Sequence, residues 1–428
     1  MEPVTIMLIL FFVFLITGVP LAFNMGISSL IYFILTNQDL STIPSMMFDG
    51  TKTIVFLAIP LFMLAGQIMN ETGVTDRIIK FANSLVGHYR GGLAQVNVVA
   101  SMLFAGTSGS ALADISGLGS ILIPAMEKSG YDRDFSAGVT ASSAIQGPII
   151  PPSIPMVIFG AITSVSIGAL LIGGLVPGVL IGISDMIVVY FISKKRGFPV
   201  NSAKPTLKEI FINFKAAFGA VLMPVIIMGG ILTGVFTPTE AAGIGVAYAI
   251  FISFILYSSL GKEKAKNILI EVGKLSAVIY MLIATASVFS WILALESIPQ
   301  ILVNIVSNVT TNPYGIMFII NVLLLIWGFW MDTTPAIILL GPILTPLAQS
   351  IGVHPVHFGV VMVTNLVIGL ITPPYGVALF MTSIVGKISL ERLSKAIVPY
   401  FLINLIVLGL ITYIPDLILF LPRLFGLI

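Results

Sequence analysis

Residues 146–155 read QGPIIPPSIP, with four prolines and one glycine in ten positions, inside a stretch that is otherwise apolar. Each proline lacks a backbone N–H and fixes φ, so an α-helix cannot run through Pro148, Pro151 and Pro152 without opening. Backbone groups freed at membrane depth are costly unless protein or a water-filled cavity satisfies them. The stretch therefore predicts a broken helix, and its free backbone groups are candidates for binding a ligand.

The composition is that of a polytopic helical membrane protein. Of 428 residues, 57% are hydrophobic and 9% are charged, and the mean hydropathy is +1.10, far above the range of soluble globular chains. A net charge of +2 does not indicate the strongly basic surface of a nucleic-acid-binding protein. The absence of cysteine excludes disulfides, thiol catalysis and Cys-ligated metals. The first residues, MEPVTIMLILFF, lack a basic signal region and predict a retained membrane helix.

Hydropathy over windows of about 19 residues separates ordinary membrane spans from two unusual regions. The regions 93–127 and 313–350 are apolar but have polar centres, GTSGSALAD at 106–114 and FWMDTTPA at 329–336. Each is either two crossings or one re-entrant hairpin, since an arm of half that length is too short to span. The predicted spans are 4–19, 22–35, 54–70, 134–165, 168–192, 216–235, 240–258, 276–294, 358–386 and 396–414.

The distribution of Lys and Arg favours the hairpins. If both unusual regions return to their starting side, the loops rich in basic residues fall on one face, and of the 20 Lys and Arg only Lys52 and Arg423 lie opposite. The positive-inside rule makes the basic face cytoplasmic. We therefore expect ten spans, two re-entrant hairpins and both termini in the periplasm.

The chain contains an internal repeat. A shift of 222 residues aligns 106–160 with 328–382 without gaps. The matched pairs include Gly106 with Gly328, Gly119 with Gly341, Gly147 with Gly369, and Pro151-Pro152 with Pro373-Pro374. One hairpin enters from each side of the membrane, so the repeats are inverted. The predicted fold is an all-α polytopic membrane protein with two inverted repeats, each containing a re-entrant hairpin and a broken helix.

The repeats predict an alternation of scaffold and transport parts. Within the scaffold parts, 72–92 and 261–275 mix basic and apolar residues and predict amphipathic interfacial helices. The predicted parts are 1–92, scaffold and amphipathic arm of repeat 1; 93–165, hairpin 1 and broken helix 1; 166–310, scaffold and arm of repeat 2; 311–386, hairpin 2 and broken helix 2; and 387–428, a C-terminal scaffold helix and tail.

Four motifs, GTSGSALADISGLGSILIPAM, ASSAIQGPIIPPSIPMVIFG, GVFTPTEAAGIGVAYA and GLITPPYGVALF, resemble the large membrane subunit of tripartite ATP-independent periplasmic (TRAP) transporters. The resemblance covers essentially the whole chain. It implies an elevator-type secondary transporter of the bacterial inner membrane, driven by two or more sodium ions. It also implies two partners, a separately encoded four-helix membrane subunit and a periplasmic substrate-binding protein. The overall likeness is to the sialic-acid branch, so we expect sialic acid as substrate.

The repeat symmetry predicts two sodium sites, each between a hairpin and a break. A broken helix leaves carbonyl oxygens free, and such oxygens suit a hard cation. Two cations would also offset an anionic substrate where no Lys or Arg lies at the midplane. The predicted ligands are Gly106, Ser108, Ser110, Gly147, Ile150 and Ser153 for the first ion, and Gly328, Gly369, Thr372 and Tyr375 for the second.

We expect the substrate between the two hairpin tips. Hydroxyl groups and helix N-termini there can bind a carboxylate and sugar-like hydroxyls without a buried basic side chain. Asp114 is a further site candidate because a carboxylate is expensive at membrane depth, although it can instead cap its hairpin arm. The predicted substrate residues are Thr107, Ser108, Ser110, Asp332, Thr333 and Thr334.

Two other motifs predict structure rather than chemistry. TPTE at 237–240 has Thr at the N-cap, Pro at N1 and Glu at N3, so Glu240 is interpreted as a capping-box carboxylate. Gly174, Gly178 and Gly182 recur every four residues and predict close helix packing, with the small subunit as one possible contact.

Three classes of function remain open from the residues. The first is sodium-coupled uptake of an organic anion delivered by a binding protein, and the second is a self-sufficient dicarboxylate-type symporter. The third, a membrane-embedded enzyme, is disfavoured because the sequence contains no HExxH, GxSxG or Walker A motif. We therefore expect a transporter and not an enzyme.

Overall fold

A computed structural model describes residues 2–198, 204–256, 260–310 and 312–428. The end of the predicted span 240–258 and the boundary residue 311 lie outside these ranges. Within them the secondary structure is helical, without a strand, which confirms the all-α class. The helices of the first half are α1 Pro3–Ile16, α2 Leu21–Leu35, α3 Thr42–Thr51, α4 Ala58–Glu71, α5 Val74–Val86, α6 Gly92–Ser108, α7 Ala111–Asp114, α8 Ser120–Lys128, α9 Arg133–Ala144 and α10 Ile154–Thr163.

Short irregular helical segments connect some of these elements. A 3₁₀ segment, Ile54–Leu57, leads into α4, and a π-helical segment, Ile115–Gly119, joins α7 to α8. The helices of the second half are α11 Ile167–Arg196, α12 Leu207–Leu232, α13 Pro238–Phe251, α14 Lys262–Leu295, α15 Ile298–Val309, α16 Pro313–Trp330, α17 Thr333–Ser350, α18 Pro355–Gly369, α19 Val377–Gly386, α20 Leu390–Tyr413 and α21 Asp416–Leu424.

Among the described residues, six helical segments are long and apolar enough to cross a membrane. They are Ile54–Glu71, Ile167–Arg196, Leu207–Leu232, Lys262–Leu295, Pro313–Trp330 and Leu390–Tyr413. Three of the shorter apolar helices, α10, α18 and α19, are arms of the interrupted segments.

The predicted interfacial helix at 261–275 is wrong as a separate element. It forms the first turns of α14, which has 34 residues and is about 51 Å long at 1.5 Å per residue. No proline interrupts the helix, so it continues beyond the roughly 30 Å of hydrocarbon. Its N-terminal turns contain the basic residues Lys262 and Lys264, so the predicted arm is the start of one long helix.

Both polar centres form tight connections between two helical arms. Gly109 has φ +62° and Ser110 is extended, and together they end α6 and start α7. In the second repeat, Met331 and Asp332 separate α16 from α17. We call these connections tip 1 (residues 106–114) and tip 2 (residues 328–334). Ser110 and Asp332 are equivalent under the repeat, and each is the N-cap of the returning arm.

Both predicted broken helices are present. α9 ends in the break 145–153 before α10 starts, and α18 ends in the break 370–376 before α19 starts. The last turn of each first arm tightens, with the amides of Gly147 and Thr372 bonding to carbonyls three residues earlier. Such bonding is usual where a helix ends. The Pro151-Pro152 and Pro373-Pro374 peptide bonds are cis.

The two repeats interlock. α10, from the first repeat, packs against α17 of the second hairpin, while α19, from the second repeat, packs against the π-helical segment and α9 of the first. α11 and α20 lie against these elements, since α11 contacts α6, α9 and α18, and α20 contacts α9 and α18. A second group of contacts joins α4 to α13, α5 to α12, and α14 to α2 and α3.

The glycine repeat on α11 packs inside the chain, as the spacing predicts, but its neighbour is not a partner subunit. A Cβ at Gly174 would lie 2.6 Å from the carbonyl oxygen of Ile149, and one at Gly178 would lie 2.3 Å from Cγ1 of Ile150. A Cβ at Gly182 would lie 2.7 Å from Sδ of Met102. The expectation that these glycines contact the small subunit is therefore wrong, because the first break occupies the groove.

The Thr237 and Glu240 side chains form the predicted capping box at the start of α13. The Glu240 carboxylate accepts from the Thr237 amide at 2.8 Å, and the Thr237 hydroxyl accepts from the Glu240 amide at 3.3 Å. The carboxylate is thus engaged in capping the start of a helix, which confirms its structural interpretation.

Candidate functional site

Tip 1 lies directly against the first break. A Cβ at Gly147 would lie 2.6 Å from Oδ2 of Asp114 and 3.2 Å from the carbonyl carbon of Ser110. Asp114 is fully buried, and its other oxygen accepts a hydrogen bond from the Ser108 hydroxyl. Oδ2 has no hydrogen-bond partner among the described residues. The structure therefore brings Ser108, Ser110 and Gly147 together around a carboxylate oxygen that lacks a partner.

Free carbonyl groups of the break face the same tip. Pro155 has no N–H, so the carbonyl of Pro151 has no helical donor four residues on. A Cβ at Gly106 would lie 3.7 Å from that carbonyl oxygen, and one at Gly109 would lie 2.9 Å from the carbonyl oxygen of Pro152. At Gly109, which also has φ +62°, only glycine allows the tip backbone to approach this closely.

The side chains of Ser153 and Ile150, the other two residues predicted for the first ion, make contacts within the break and with α11. The Ser153 hydroxyl bonds to the Pro148 carbonyl and caps α10 by accepting from the Met156 amide at 3.2 Å. The Ile150 side chain packs on Gly178 of α11. Their side chains thus hold the break in shape, and only their backbone groups are available to a cation.

Tip 2 meets the second break in the equivalent way. A Cβ at Gly328 would lie 2.8 Å from the Leu366 carbonyl oxygen and 3.0 Å from Cα of Gly369. A Cβ at Gly369 would lie 3.1 Å from the Gly328 carbonyl oxygen. The two predicted ligands are therefore in backbone contact, and a side chain on either would push the hairpin off the break.

Thr372 and Tyr375 lie on the second break with different exposure. The Thr372 hydroxyl is 3.4 Å from the Ile368 carbonyl oxygen, so it partly satisfies the end of α18. The Tyr375 ring is 58% exposed and lies beside Phe329 and Phe380, with ring centres 6.1 Å away in both cases. Tyr375 can therefore offer a cation its carbonyl group, while its ring packs beside Phe329 of tip 2.

Both tips line one cavity of about 410 Å³. Tip 1 contributes Ser108, Gly109 and Ser110, and tip 2 contributes Asp332, Thr333 and Thr334. The wall opposite the tips comes from α4 and α14. A space of this size fits a small organic molecule. Five of the six predicted substrate residues therefore share one cavity.

Thr107 is the exception. Its hydroxyl donates to the Phe104 carbonyl at 2.7 Å, within α6, and its side chain does not line the cavity. Thr333 shows the opposite pattern, because it is buried and its hydroxyl has no partner among the described residues. Spacing alone cannot separate these two threonines, since the helix turn decides which one points inward.

The cavity contains one carboxylate and no cation. Asp332 is the one ionisable residue among the described residues that line it, and neither Lys nor Arg does. The polar groups around it are the hydroxyls of Ser110 and Thr334 and the amides of Gln67 and Asn70 on α4. Such a lining suits a ligand with several hydroxyl groups, because Asp332 and the amides accept hydrogen bonds from hydroxyl donors.

Sequence reasoning missed Gln67, Asn70 and Asp185. Gln67 and Asn70 line the cavity from α4, and buried Asp185 joins α11 to α9 and α20 through hydrogen bonds. The available signal was the placement of each polar side chain within a long apolar run, which marks a site candidate at membrane depth.

Comparison with known proteins identifies relatives along nearly the whole chain. Residues 8–417 match the family described as "Tripartite ATP-independent periplasmic transporter, DctM component". The sialic acid TRAP transporter large permease protein SiaM of Vibrio cholerae is 42% identical over 412 residues, 96% of each chain. The C4-dicarboxylate TRAP transporter large permease protein DctM of Pseudomonas aeruginosa is 38% identical over 405 residues, 94% of this chain and 95% of that one.

A solved structure shares the fold at low sequence identity. The YdaH transporter of Alcanivorax borkumensis superposes with a TM-score of 0.58 at 12% identity, over 87% of this chain and 88% of that one. The overall fold is therefore also found in a chain of very different sequence.

Proposed function

Because the chain belongs to the DctM-component family of tripartite ATP-independent periplasmic transporters, we propose that it carries a hydroxylated organic acid, sialic acid being the best candidate, across a bacterial inner membrane with sodium. The observation that carries this proposal is the cavity shared by the two tips, lined by Ser110, Asp332 and Thr333. Membership of the family makes the chain a large permease of secondary transport, and its relatives are transporters rather than enzymes.

Sodium coupling is supported by the contacts between tips and breaks. At the first, Oδ2 of Asp114, which has no hydrogen-bond partner among the described residues, lies beside Gly147, and the Pro151 carbonyl lies beside Gly106 of the same tip. At the second, Gly328 and Gly369 bring backbone carbonyls together. Oxygen ligands of this kind suit sodium, and a bound ion at each place would fasten a tip to its break. We therefore propose two ions, with Asp114 as an added ligand of the first.

The substrate proposal rests on the polar groups of the cavity. A single carboxylate on the ligand needs donors, and the N-terminal amides of α17 at tip 2 supply them. The hydroxyl groups of the ligand then meet Asp332 and the amides of α4. Sialic acid has one carboxylate and several hydroxyls, whereas a C4-dicarboxylate would place a second charge where no basic side chain lines the wall.

An elevator movement is supported by the interlocked repeats. The hairpins and broken helices of both repeats form one packed body, so a tip cannot move without its partner elements. We include α11 and α20 in this moving body, unlike the predicted boundaries at 166 and 387, because α11 fills the groove over the first break. The helices α4, α5, α12, α13 and α14 then form the fixed scaffold.

The partners complete the proposal. A fixed scaffold needs anchoring in the bilayer, and the outer faces of α12 expose large apolar side chains, including Phe211 at 67% and Val225 at 59%. We propose that the small membrane subunit extends this scaffold. We further propose that a periplasmic binding protein delivers the substrate to the face with few basic residues, opposite the cytoplasmic face. The lipid bilayer covers the remaining exposed apolar surface of the protein.

Reconstitution tests the proposal directly. Proteoliposomes containing this chain and the small subunit should take up labelled sialic acid only with an inward sodium gradient and with loaded binding protein. Omission of either partner should abolish uptake. Full sodium-driven uptake by this chain alone would instead support the self-sufficient symporter, and uptake of succinate in preference to sialic acid would overturn the substrate proposal.

A further inference from the structure

The helix α4 touches tip 1 so closely that one residue has to be glycine. A Cβ at Gly66 would lie 2.8 Å from the carbonyl oxygen of Thr107 and 3.3 Å from that of Ser108. Cβ atoms do not approach oxygens to such distances, so a side chain at position 66 would displace the tip. The contact therefore fixes α4 as a wall of the substrate cavity in this arrangement.

Two amide side chains follow on the same face of α4. Gln67 and Asn70 are three residues apart, so they lie one above the other, and both line the cavity shared with Ser110 and Asp332. The side-chain oxygen of Asn70 is buried and has no hydrogen-bond partner among the described residues. An unsatisfied buried acceptor is costly, so a ligand with a donor group would stabilise this wall.

The wall belongs to the scaffold and lies near its basic end. α4 packs against α13 and α14, and Glu71 at its end pairs with Lys264 of α14, with Oε2 and Nζ 3.8 Å apart. Leu275, next to Lys274 in the sequence, also lines the cavity. A second cavity, of about 480 Å³, lies further along α14 at Ile283–Ala294. The tip cavity is therefore at the basic, cytoplasmic end of the scaffold.

We propose that Gln67 and Asn70 are specificity-determining residues that hydrogen-bond to the hydroxyl groups of the substrate only when the tips are at this depth. The inference rests on the proposed function, since it assumes a body that moves relative to α4. The tips carry their own groups through the whole movement, whereas the amides of α4 stay with the scaffold. Their contribution to affinity is thus confined to the cytoplasmic side and to hydroxylated acids.

The test compares affinity at the two faces. Sodium-dependent binding of labelled sialic acid is measured on inside-out vesicles containing the complete membrane complex, and uptake from loaded binding protein is measured in proteoliposomes. We expect Asn70→Leu, and independently Gln67→Met, to raise the half-saturating sialic acid concentration in inside-out vesicles about tenfold, the effect of one lost hydrogen bond to a ligand. The half-saturating concentration of loaded binding protein should stay within about twofold.

A matched control is available on the neighbouring helix. Asn83→Leu makes the same chemical change at an exposed position of α5 outside the cavity lining, and it should leave both values unchanged. The inhibition constant of a monocarboxylate without hydroxyl groups, such as butyrate, should also be unaffected by Asn70→Leu in the inside-out vesicles, because this acid has no hydroxyl group to lose a partner. Gel filtration of the purified complex establishes that each variant assembles.

Several outcomes would overturn the inference. They are an equal loss of affinity at both faces, an equal loss for the monocarboxylate without hydroxyl groups, or wild-type affinity in both variants. A variant that assembles but does not transport is still measured by direct binding, so its affinity remains informative. The proposed function fails separately, in the wild-type complex, if sialic acid does not bind or if its binding does not require sodium.

Discussion

The carboxylate of Asp185 on α11 accepts a hydrogen bond from the hydroxyl of Ser142 on α9, with 2.9 Å to either carboxylate oxygen. The side-chain amide of Asn404 on α20 donates to the Ser142 hydroxyl at 3.1 Å, and its oxygen accepts from the hydroxyl of Ser184 at 3.3 Å. All four side chains are buried. One polar network therefore fastens α11 and α20 to the first broken helix.

Removal of the carboxylate should loosen this junction. Asp185→Ala removes the acceptor of the buried Ser142 hydroxyl, at a cost of about 1–3 kcal/mol, whereas Asp185→Asn keeps the shape and an acceptor oxygen. We expect thermal unfolding of the purified complex in detergent to shift downward for Asp185→Ala and much less for Asp185→Asn. Asp416→Ala is the control, since Asp416 is exposed in its pair with Arg423. Equal shifts at positions 185 and 416 would contradict the role of the network.

Gly147→Ala should separate tip 1 from the first break. The added methyl group would lie 2.6 Å from Oδ2 of Asp114, which has a short, buried side chain. Overpacking of this kind costs about 1–3 kcal/mol, so we expect the half-saturating sodium concentration for uptake to rise about 5- to 150-fold. Gly229→Ala on α12 is the matched control, because a Cβ there meets nothing within 4 Å. Unchanged sodium dependence in Gly147→Ala would move the first ion elsewhere.

Asp114→Asn tests whether the two ion sites differ. The residue aligned with Asp114 in the second repeat is Ala336, so only the first site has a carboxylate. We expect the variant to weaken one of two sodium ions, lowering the Hill coefficient of sodium-dependent uptake from near two toward one. Asp76→Asn, at an exposed position of α5, is the control. A Hill coefficient that stays near two would exclude Asp114 as a ligand.

The positions of glycine and proline made the repeat architecture predictable. Pro151, Pro152 and their equivalents Pro373 and Pro374 act on the backbone itself, so their effect does not depend on which helices surround them. The repeated glycines report close backbone approach in the same way, and the structure confirms it at Gly147 and its equivalent Gly369. The two tips and breaks could thus be located before any packing was known.

The α4 wall of the cavity and the buried network around Asp185 could not be located in this way. Gln67, Asn70 and Asp185 are single polar residues in apolar helices, and the sequence does not say which neighbour each one faces. The continuity of α14 was missed for a related reason, since hydropathy separates basic from apolar turns even when one helix contains both. Which neighbour each polar side chain faces depends on the packing of elements that are distant in sequence, such as α4 with tip 1.

Thr333 and Thr107 form a matched pair for the last prediction. Both are buried threonines at the tips, but the Thr333 hydroxyl has no partner in the part of the chain that the structure describes and lines the cavity, while the Thr107 hydroxyl donates to the Phe104 carbonyl. Thr333→Val keeps the shape and removes the hydroxyl, so a substrate that uses it loses one hydrogen bond, about 0.5–1.5 kcal/mol. We expect a rise of about 2- to 12-fold in the half-saturating sialic acid concentration of sodium-dependent exchange, with little change for Thr107→Val. Because tip 2 moves with the substrate, the rise should appear at both faces of the membrane, unlike that of Asn70→Leu. A rise at one face alone would place Thr333 outside the moving site.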